Sequence, residues 1–335
     1  MKKKVANKKN MLDFVLSARY SNLFYTVIKL NIPELTKDQY VKVDILAARS
    51  EVNEVALFRI LRALTGIKIF KQKGNSFKLT KHATPLLADT ENSITNVILW
   101  IIEWKRKVWD NVLYSVKTGK PAFDDVYKKP LFDFLSENEE VQDLFDKVMS
   151  QRTKLNTKQI LNTYDFSNIK TIIDIGGGNG MLLSEILKKY TTANGILFDA
   201  SDIINKTDNI LKEYNLEDRC RLTEGDFFKS VPKNGDIYIL KEVLHDWNDE
   251  KSIEILKNCA DVMNKDGKII IIEHSADMKY PGSLLLDVSM LLTTGGQERT
   301  KKEFKKILKK AGLVLSKVYK TNSSLKIIEC SLNKI

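Results

Sequence analysis

The first half of the chain has the hydrophobic pattern of helices. Apolar residues between residue 11 and about residue 155 recur every three or four positions, and few stretches alternate as a β-strand would. The segment from Asp13 to Ile32 shows this amphipathic spacing, and Pro33 marks its break. Further helices are predicted over 94–115, 130–134 and 141–161. We therefore expect a mostly helical N-terminal half.

One region inside this half departs from the helical pattern. Two short helices are followed by two short strands, Lys68–Lys71 and Ser76–Leu79, which flank a turn at Gly74 and Asn75. This order of elements is typical of a winged helix.

A different pattern begins near residue 165. Short apolar runs with strand character alternate with helical segments, which predicts a mostly parallel sheet covered by helices on both faces. The last two strands, Leu313–Tyr319 and Leu325–Leu332, have only a short connection and must pair antiparallel. We place the domain boundary near residue 160, with a helical winged-helix-like domain over 1–160 and an α/β domain over 161–335.

Composition supports a soluble, cytoplasmic protein. Hydrophobic residues make up 43% and charged residues 29% of the 335 residues, as in ordinary globular domains. The three cysteines lie far apart without metal-like spacing, which favours a reducing compartment. The basic N-terminus is not followed by a long apolar run, so we predict no signal peptide, and no apolar stretch approaches the roughly 20 residues of a membrane span.

The net charge of +11 raises the possibility of nucleic-acid binding. The lysines, however, are spread over the whole chain, and the segment 55–64 has only two arginines among many apolar residues. That composition favours burial in a dimer interface over insertion into a DNA groove. We expect a homodimer that binds neither nucleic acid nor membrane, with a DNA-binding regulator as the alternative from a different class.

A glycine-rich turn follows the first strand of the α/β domain. It runs from Asp174 through Gly176 and Gly178 to Gly180, where a helix is predicted to begin. The dinucleotide fingerprint requires Gly or Ala where Met181 stands, and the phosphate loop requires a Gly-Lys pair that is absent here. An acid before G-x-G-x-G suits the amino-acid end of S-adenosylmethionine, although a purely structural turn is the alternative.

Two further acids follow the next two strands. Asp199 is placed to accept hydrogen bonds from two ribose hydroxyls, and Asp226 could accept from an adenine amino group while Phe227 packs on the ring. Their alternative roles are a helix cap and a turn acid. Because ligands of open α/β sheets bind at the carboxyl ends of strands, the three acids together favour a nucleotide-like cofactor.

His245 is the candidate catalytic residue. It lies just past the fourth strand, in the segment from Lys241 to Trp247, whereas His82 falls in the predicted wing and His274 on a strand. A neutral imidazole beside a sulfonium methyl could take a proton from a substrate hydroxyl. A packing histidine at a helix start is the alternative.

Several motifs in order along the chain resemble one family. LKEVLHDWNDEKSIEILKNC, DIGGGNG, GDFF and GGQERTKKEF are similar to motifs of the small-molecule O-methyltransferases of the caffeic acid and hydroxyindole type, with their bacterial secondary-metabolite relatives. The resemblance implies a Rossmann-like class I methyltransferase sheet with a terminal antiparallel hairpin. It also implies an N-terminal dimerisation domain and S-adenosylmethionine as cofactor.

The resemblance also implies roles for particular residues. His245 falls on the general base, and Glu273 and Glu298 fall on its two acidic partners, which would hold the imidazole tautomer. The expected cofactor contacts are Asp174, Gly176, Gly178, Asp199, Asp226, Phe227, Lys241 and Trp247. The expected acceptor contacts are Phe145, Met149, Arg152, Asp246 and Met290, although ordinary core is an equal alternative for the three apolar ones. No metal is expected.

The sequence departs from the family pattern at two places. Asp199 is followed by Ala200-Ser201 instead of the usual Leu-Pro, and Arg152 stands where a histidine or another polar residue is expected. We hypothesise that Arg152 pairs with a carboxylate or other acceptor group on the substrate. Methylation of an amine instead of a hydroxyl stays open, since an amine needs no strong base.

Overall fold

The computed structural model describes residues 8–277 and 281–333. Its helices are α1 (Lys8–Lys29), α2 (Ile32–Thr36), α3 (Val43–Arg49), α4 (Glu54–Thr65), α5 (Thr95–Trp100), α6 (Arg106–Asp110), α7 (Val112–Thr118), α8 (Ala122–Tyr127), α9 (Leu131–Ser136), α10 (Glu139–Thr163), α11 (Met181–Lys189), α12 (Ser201–Glu213), α13 (Asp249–Val262), α14 (Pro281–Thr293) and α15 (Lys301–Lys310). Its strands are β1 (Val41–Lys42), β2 (Phe70–Lys73), β3 (Ser76–Leu79), β4 (Thr171–Ile175), β5 (Asn194–Asp199), β6 (Cys220–Glu224), β7 (Ile237–Lys241), β8 (Lys268–His274), β9 (Leu313–Lys320) and β10 (Leu325–Leu332). None of the helices among these residues is long and apolar enough to cross a bilayer.

The first compact unit covers residues 1–106 and contains the winged-helix order predicted from sequence. Strands β2 and β3 form a hairpin around Gly74, and β1 adds antiparallel to β3. The first strand of the hairpin begins two residues later than predicted. Lys68 has φ 63, a left-handed conformation that an extended strand excludes, so β2 starts only at Phe70.

The helix predicted over 94–115 is interrupted in the structure. A π-helical turn, Ile101–Lys105, separates α5 from α6, and Asn111 leaves helical geometry with φ −100 and ψ 20. These local departures are set by hydrogen bonding along the backbone, which the spacing of apolar residues does not report.

The second compact unit covers residues 107–335 and contains the predicted sheet. Its strand order is β6-β5-β4-β7-β8-β10-β9, with β4 to β8 parallel and β10 antiparallel to both of its neighbours. Ile172 packs in one buried cluster and Ile173 in the other, because successive strand residues point to opposite faces. The burial of the central strands β4, β7 and β8 explains their nearly continuous apolar runs in the sequence.

The division into compact units differs from the predicted boundary near residue 160. Helix α10 packs against α11, and its residue Ile160 is fully buried in the same cluster as Ile172 and Leu182. The helices between residues 107 and 163 therefore belong to the compact unit of the sheet. A functional boundary near residue 160 stays a prediction.

Candidate active site

The glycine-rich turn lies at the carboxyl end of β4. Gly176, Gly178 and Gly180 have φ values of 65, 60 and 78, which favour glycine, and a Cβ at Gly178 would meet no atom within 4 Å. The turn is held by its neighbours, since Asn179 donates from Nδ2 to the hydroxyl of Ser150 at 2.5 Å. It thus presents open backbone at the place where open α/β sheets bind their ligands.

Asp199 ends β5 directly beside this turn. Its Oδ2 accepts a hydrogen bond from the Gly178 N–H at 2.8 Å, and its Oδ1 accepts from Ala200 at 2.8 Å. Burial raises the pKa of this carboxyl, and these two bonds oppose the rise. Each oxygen keeps a second lone pair for a ligand hydroxyl. The two bonds fix the orientation of the carboxylate. Because Ala200 precedes the first residue of α12, neither bond goes to a helical N–H, and the cap suggested as the alternative role stays a prediction.

Asp174 is a buried acid beneath the same turn. It is 1% exposed, and its Oδ2 has no hydrogen-bond partner within the described residues. Burial raises its pKa to about 7, against the opposing charge of Lys241. A buried polar atom without a partner beside open glycine backbone fits a ligand that brings its own donor, such as the ammonium of S-adenosylmethionine.

Aromatic residues border the turn on another side. Gly176 lies near Phe227, whose Cε1 would be 3.8 Å from an added Cβ. Phe227 and Phe228 both pack edge-on against Trp247, with ring centroids 6.1 and 4.8 Å away. Asn258 fixes this strip by donating to the carbonyls of both phenylalanines. An apolar wall of this kind suits packing against the flat face of an adenine ring.

Asp226, predicted to bind the adenine, is exposed. Its Oδ1 accepts from the Phe228 N–H at 2.9 Å, and its Oδ2 is 3.4 Å from Lys229. The carboxylate therefore also acts as the turn acid that the alternative assigned to it, and a cofactor contact by Asp226 stays a prediction.

A buried ion-pair cluster forms between α10 and the end of β7. Glu242 accepts from Arg152 at 2.5 Å and pairs with Lys241, and His274 lies 3.6 Å away. Although burial raises the pKa of Glu242, the Arg152 and Lys241 cations hold it well below its usual range. Lys241 also donates to Thr153 at 3.1 Å. The backbone of Glu242 has φ 52, a left-handed conformation, at the start of the turn that leads to His245. The ion pairs of its side chain stabilise this unfavourable backbone conformation.

This cluster changes the interpretation of Arg152. The sequence-based hypothesis gave it a carboxylate or other acceptor group of the substrate as partner, whereas the structure shows the carboxylate of Glu242, a residue that the sequence did not single out. The signal for the pair was weak, because two charged residues 90 positions apart carry no local pattern. A role of Arg152 toward the acceptor stays a prediction.

His245 lies in a short 3₁₀ turn, Leu244–Asp246, and is 4% exposed. Its Nδ1 is 2.7 Å from Oε1 of Glu298, and its backbone N–H donates to Glu273 at 2.9 Å. Of the two acids predicted as partners of the imidazole, Glu298 contacts the ring and Glu273 contacts the main chain of the same residue, and their catalytic roles stay predictions. The Nδ1 contact leaves Nε2 for another partner, and Asp246 lies 3.9 Å from it.

The surroundings of His245 favour its protonated form. Burial lowers the pKa, but the carboxylates of Asp246, Glu298 and Glu273 outweigh burial and raise it to about 10. Burial also raises the pKa of Glu273 to about 7. A strongly perturbed histidine of this kind, with a defined partner, is typical of an active site.

The three apolar residues predicted to contact the acceptor fit either a pocket or the core. Phe145 and Met149 are half-buried on α10, near Ser150 that contacts the glycine-rich turn, and Met290 is 6% exposed on α14. These positions leave both alternatives, pocket and core, open.

Comparison with known proteins gives the family. Residues 109–314 match the O-methyltransferase domain family. The chain is 35% identical to the phenazine O-methyltransferase of Lysobacter antibioticus, over 95% of this chain and 94% of that protein. It is 27% identical to the 8-amino-8-demethylriboflavin N,N-dimethyltransferase of Streptomyces davaonensis, over 96% and 94%. The solved structure of a mitomycin 7-O-methyltransferase superposes with a TM-score of 0.93 at 26% identity, covering 97% of this chain and 98% of that one.

The chain belongs to the O-methyltransferase family, and its fold is that of a class I methyltransferase. It is an S-adenosylmethionine-dependent enzyme that acts on small molecules, related to the O-methyltransferases of bacterial secondary metabolism. The sequence-based identification of the family, the fold class and the cofactor is confirmed.

Proposed function

We propose that His245 is the general base for methylation of a hydroxyl group on an aromatic or polyketide-like small molecule. The observation that carries the proposal is the 2.7 Å contact between Nδ1 of His245 and Glu298, which leaves Nε2 as the basic atom. This contact assigns the proton to Nδ1 in the neutral imidazole, because Glu298 accepts there.

The residues around the site divide the work of the reaction. S-adenosylmethionine, when bound, supplies a methyl group on a sulfonium. The glycine-rich turn and Asp199 hold its amino-acid and ribose parts, and the aromatic strip of Phe227, Phe228 and Trp247 packs on its adenine ring. Nε2 of His245 takes the proton from the acceptor hydroxyl, and Glu298 and Glu273 stabilise the resulting imidazolium.

Methylation of an amine is the second candidate. It is favoured by the similarity to an N,N-dimethyltransferase over nearly the whole chain. The complete set of His245, Glu273 and Glu298 supports a hydroxyl acceptor instead, since a hydroxyl must lose its proton to become a strong nucleophile.

The pH dependence of the reaction tests the role of His245. The base must be neutral, and the pKa of His245 is raised to about 10 in the free enzyme. We therefore expect kcat/KM to rise with pH through the alkaline range. Glu298→Gln removes one stabilising carboxylate, lowers the pKa of His245 and should move the rising limb to lower pH by about one to three units.

Glu250 is an exposed acid of α13, so Glu250→Gln is the matched control. It should leave the pH profile of kcat/KM unchanged. A Glu298→Gln enzyme that is folded and has the wild-type pH profile would show that His245 is not the titrating base.

We also propose that the protein is a homodimer. The first turns of α1 expose Met11, Leu12, Phe14 and Val15, which are between 54% and 79% accessible. Adjacent exposed apolar residues of this size mark an interaction surface.

We further propose a cytoplasmic location. The three cysteines are free and buried, as expected for a protein in a reducing compartment.

Light scattering after size-exclusion chromatography at micromolar concentration tests the dimer. We expect the wild type to have twice the mass of one chain and Phe14→Ser/Val15→Ser to have the mass of one chain, because the contact loses its apolar surface. Asp13→Ser, on the same helix, should remain dimeric. A wild type with the mass of a single chain would contradict the proposal.

The alternative of a DNA-binding regulator has little support in the first unit. The exposed face of α4 carries Arg59 and Arg62 together with Val55, which is 69% accessible. An exposed apolar residue suits a protein contact better than a phosphate backbone.

A further inference from the structure

Arg299 is a fully buried cation beside the turn that carries His245. Its relative exposure is 0%, and sequence reasoning assigned it no role. Its guanidinium donates to the Leu244 carbonyl at 2.9 Å, to the Trp247 carbonyl at 2.8 Å and to the hydroxyl of Ser252 at 3.1 Å. Its Nε pairs with Asp249 at 3.1 Å, which balances the buried charge.

Two of these acceptors lie on either side of His245, the proposed general base, along the chain. Leu244 precedes His245 and Trp247 follows it by two residues, so one side chain holds the main chain on both sides of the histidine. The hydroxyl of Ser252 lies 3.2 and 3.4 Å from the same two carbonyls and reinforces the contact. The planar fork of an arginine can serve several acceptors at once, which a lysine ammonium cannot do in the same geometry.

The segment that carries Arg299 is also joined to the turn through its backbone. The Gln297 N–H donates to the carbonyl of His245 at 2.9 Å. A Cβ at Gly296 would lie 1.9 Å from the same carbonyl oxygen, so only glycine permits this approach. The next residue of the segment, Glu298, contacts the imidazole ring itself.

We propose that Arg299 is a positioning residue for His245. It fixes the main chain of the turn relative to Glu298, so that the Nδ1–Glu298 contact is kept and Nε2 is aimed at the acceptor. This proposal rests on the assignment of His245 as the base. Because the position of a reacting group sets the rate steeply, loosening the turn should reduce catalysis more than binding.

The test uses the full-length protein with the substitution Arg299→Lys. This variant keeps the positive charge beside Asp249 but loses the planar guanidinium that donates to both carbonyls. We expect kcat to fall about 10- to 100-fold, with a much smaller change in the affinity for S-adenosylhomocysteine by isothermal titration. We also expect the pKa of His245 to fall, because the contact with Glu298 loosens. With only three histidines in the chain, NMR of histidine-labelled protein can follow this titration directly.

Two further variants complete the test. Ser252→Ala removes the hydroxyl that reinforces the same carbonyls and should shift the pKa in the same direction by a smaller amount. Lys306→Met is the matched control, because Lys306 also lies near Asp249, at 3.7 Å, but contacts neither carbonyl. It should behave as wild type in every measurement.

The outcomes separate this proposal from the assignment of the base. Folded Arg299→Lys and Ser252→Ala proteins with the wild-type kcat and His245 titration would overturn the positioning role. If Arg299→Lys does not fold, Ser252→Ala decides by the same two readouts. If the titration shifts in Arg299→Lys but His245→Ala stays active, Arg299 positions the histidine and the histidine is not the base.

Discussion

His245→Ala is expected to lower kcat about 10²- to 10⁴-fold, the usual contribution of a positioned general base. The loss follows from the geometry, because Glu298 contacts the ring of His245 at Nδ1 and Glu273 accepts from its backbone N–H, so that both the ring and the main chain of this residue are held. The affinity for S-adenosylhomocysteine should stay close to that of the wild type, since Asp199 and the glycine-rich turn are untouched. Steady-state rates with a hydroxylated acceptor and isothermal titration provide the two measurements.

The control is His82→Ala, whose histidine is exposed on the first unit and should leave both quantities unchanged. An amine acceptor adds a second comparison: if the enzyme methylates it, His245→Ala should reduce that rate less, because an amine needs less assistance from a base. Full activity of His245→Ala toward hydroxyls would rule out the proposed mechanism.

Asp199→Ala is expected to weaken binding of S-adenosylhomocysteine by about 100-fold or more. Two hydrogen bonds from ribose hydroxyls to a carboxylate contribute about 1.5 kcal/mol or more each, and 1.4 kcal/mol corresponds to about tenfold in affinity. The substitution also removes the acceptor for the Gly178 N–H, which loosens the glycine-rich turn. Isothermal titration with the folded protein measures the loss.

Asp202→Ala is the matched control, because Asp202 is an exposed acid three residues along the chain in α12. It should bind as the wild type does. Asp199→Asn keeps an oxygen for Gly178 and should fall between the two. Tight binding by Asp199→Ala would place the ribose elsewhere and remove Asp199 from the cofactor site.

Local patterns predicted the sheet and much of the site. Strands β4, β7 and β8 are largely apolar runs because both of their faces are buried in the sheet, and this run length can be seen in the sequence. Asp174 and Asp199 could be placed at one edge because the carboxyl ends of parallel strands meet there. His245 was singled out by its position after the fourth strand, Glu273 and Glu298 were assigned through the family resemblance, and the structure brings the three together.

Spacing along the chain does not specify which distant side chains become partners. Arg152 meets Glu242 across 90 positions, and Arg299 meets the Leu244 carbonyl across 55. Both contacts depend on where whole helices and strands pack, and a backbone carbonyl has the same chemistry at every residue, so no residue type marks it as an acceptor.

The sequence by itself therefore determined the order of elements, the family, and the acids and histidine of the site. These follow from periodicity and from motifs, each of which is a short continuous stretch of the chain. Only the tertiary structure decided that the helices between 107 and 163 join the unit of the sheet, that Glu242 neutralises Arg152, and that Arg299 holds the turn of His245. The physical reason is that buried charges must find partners where packing brings them, and packing is a property of the whole fold.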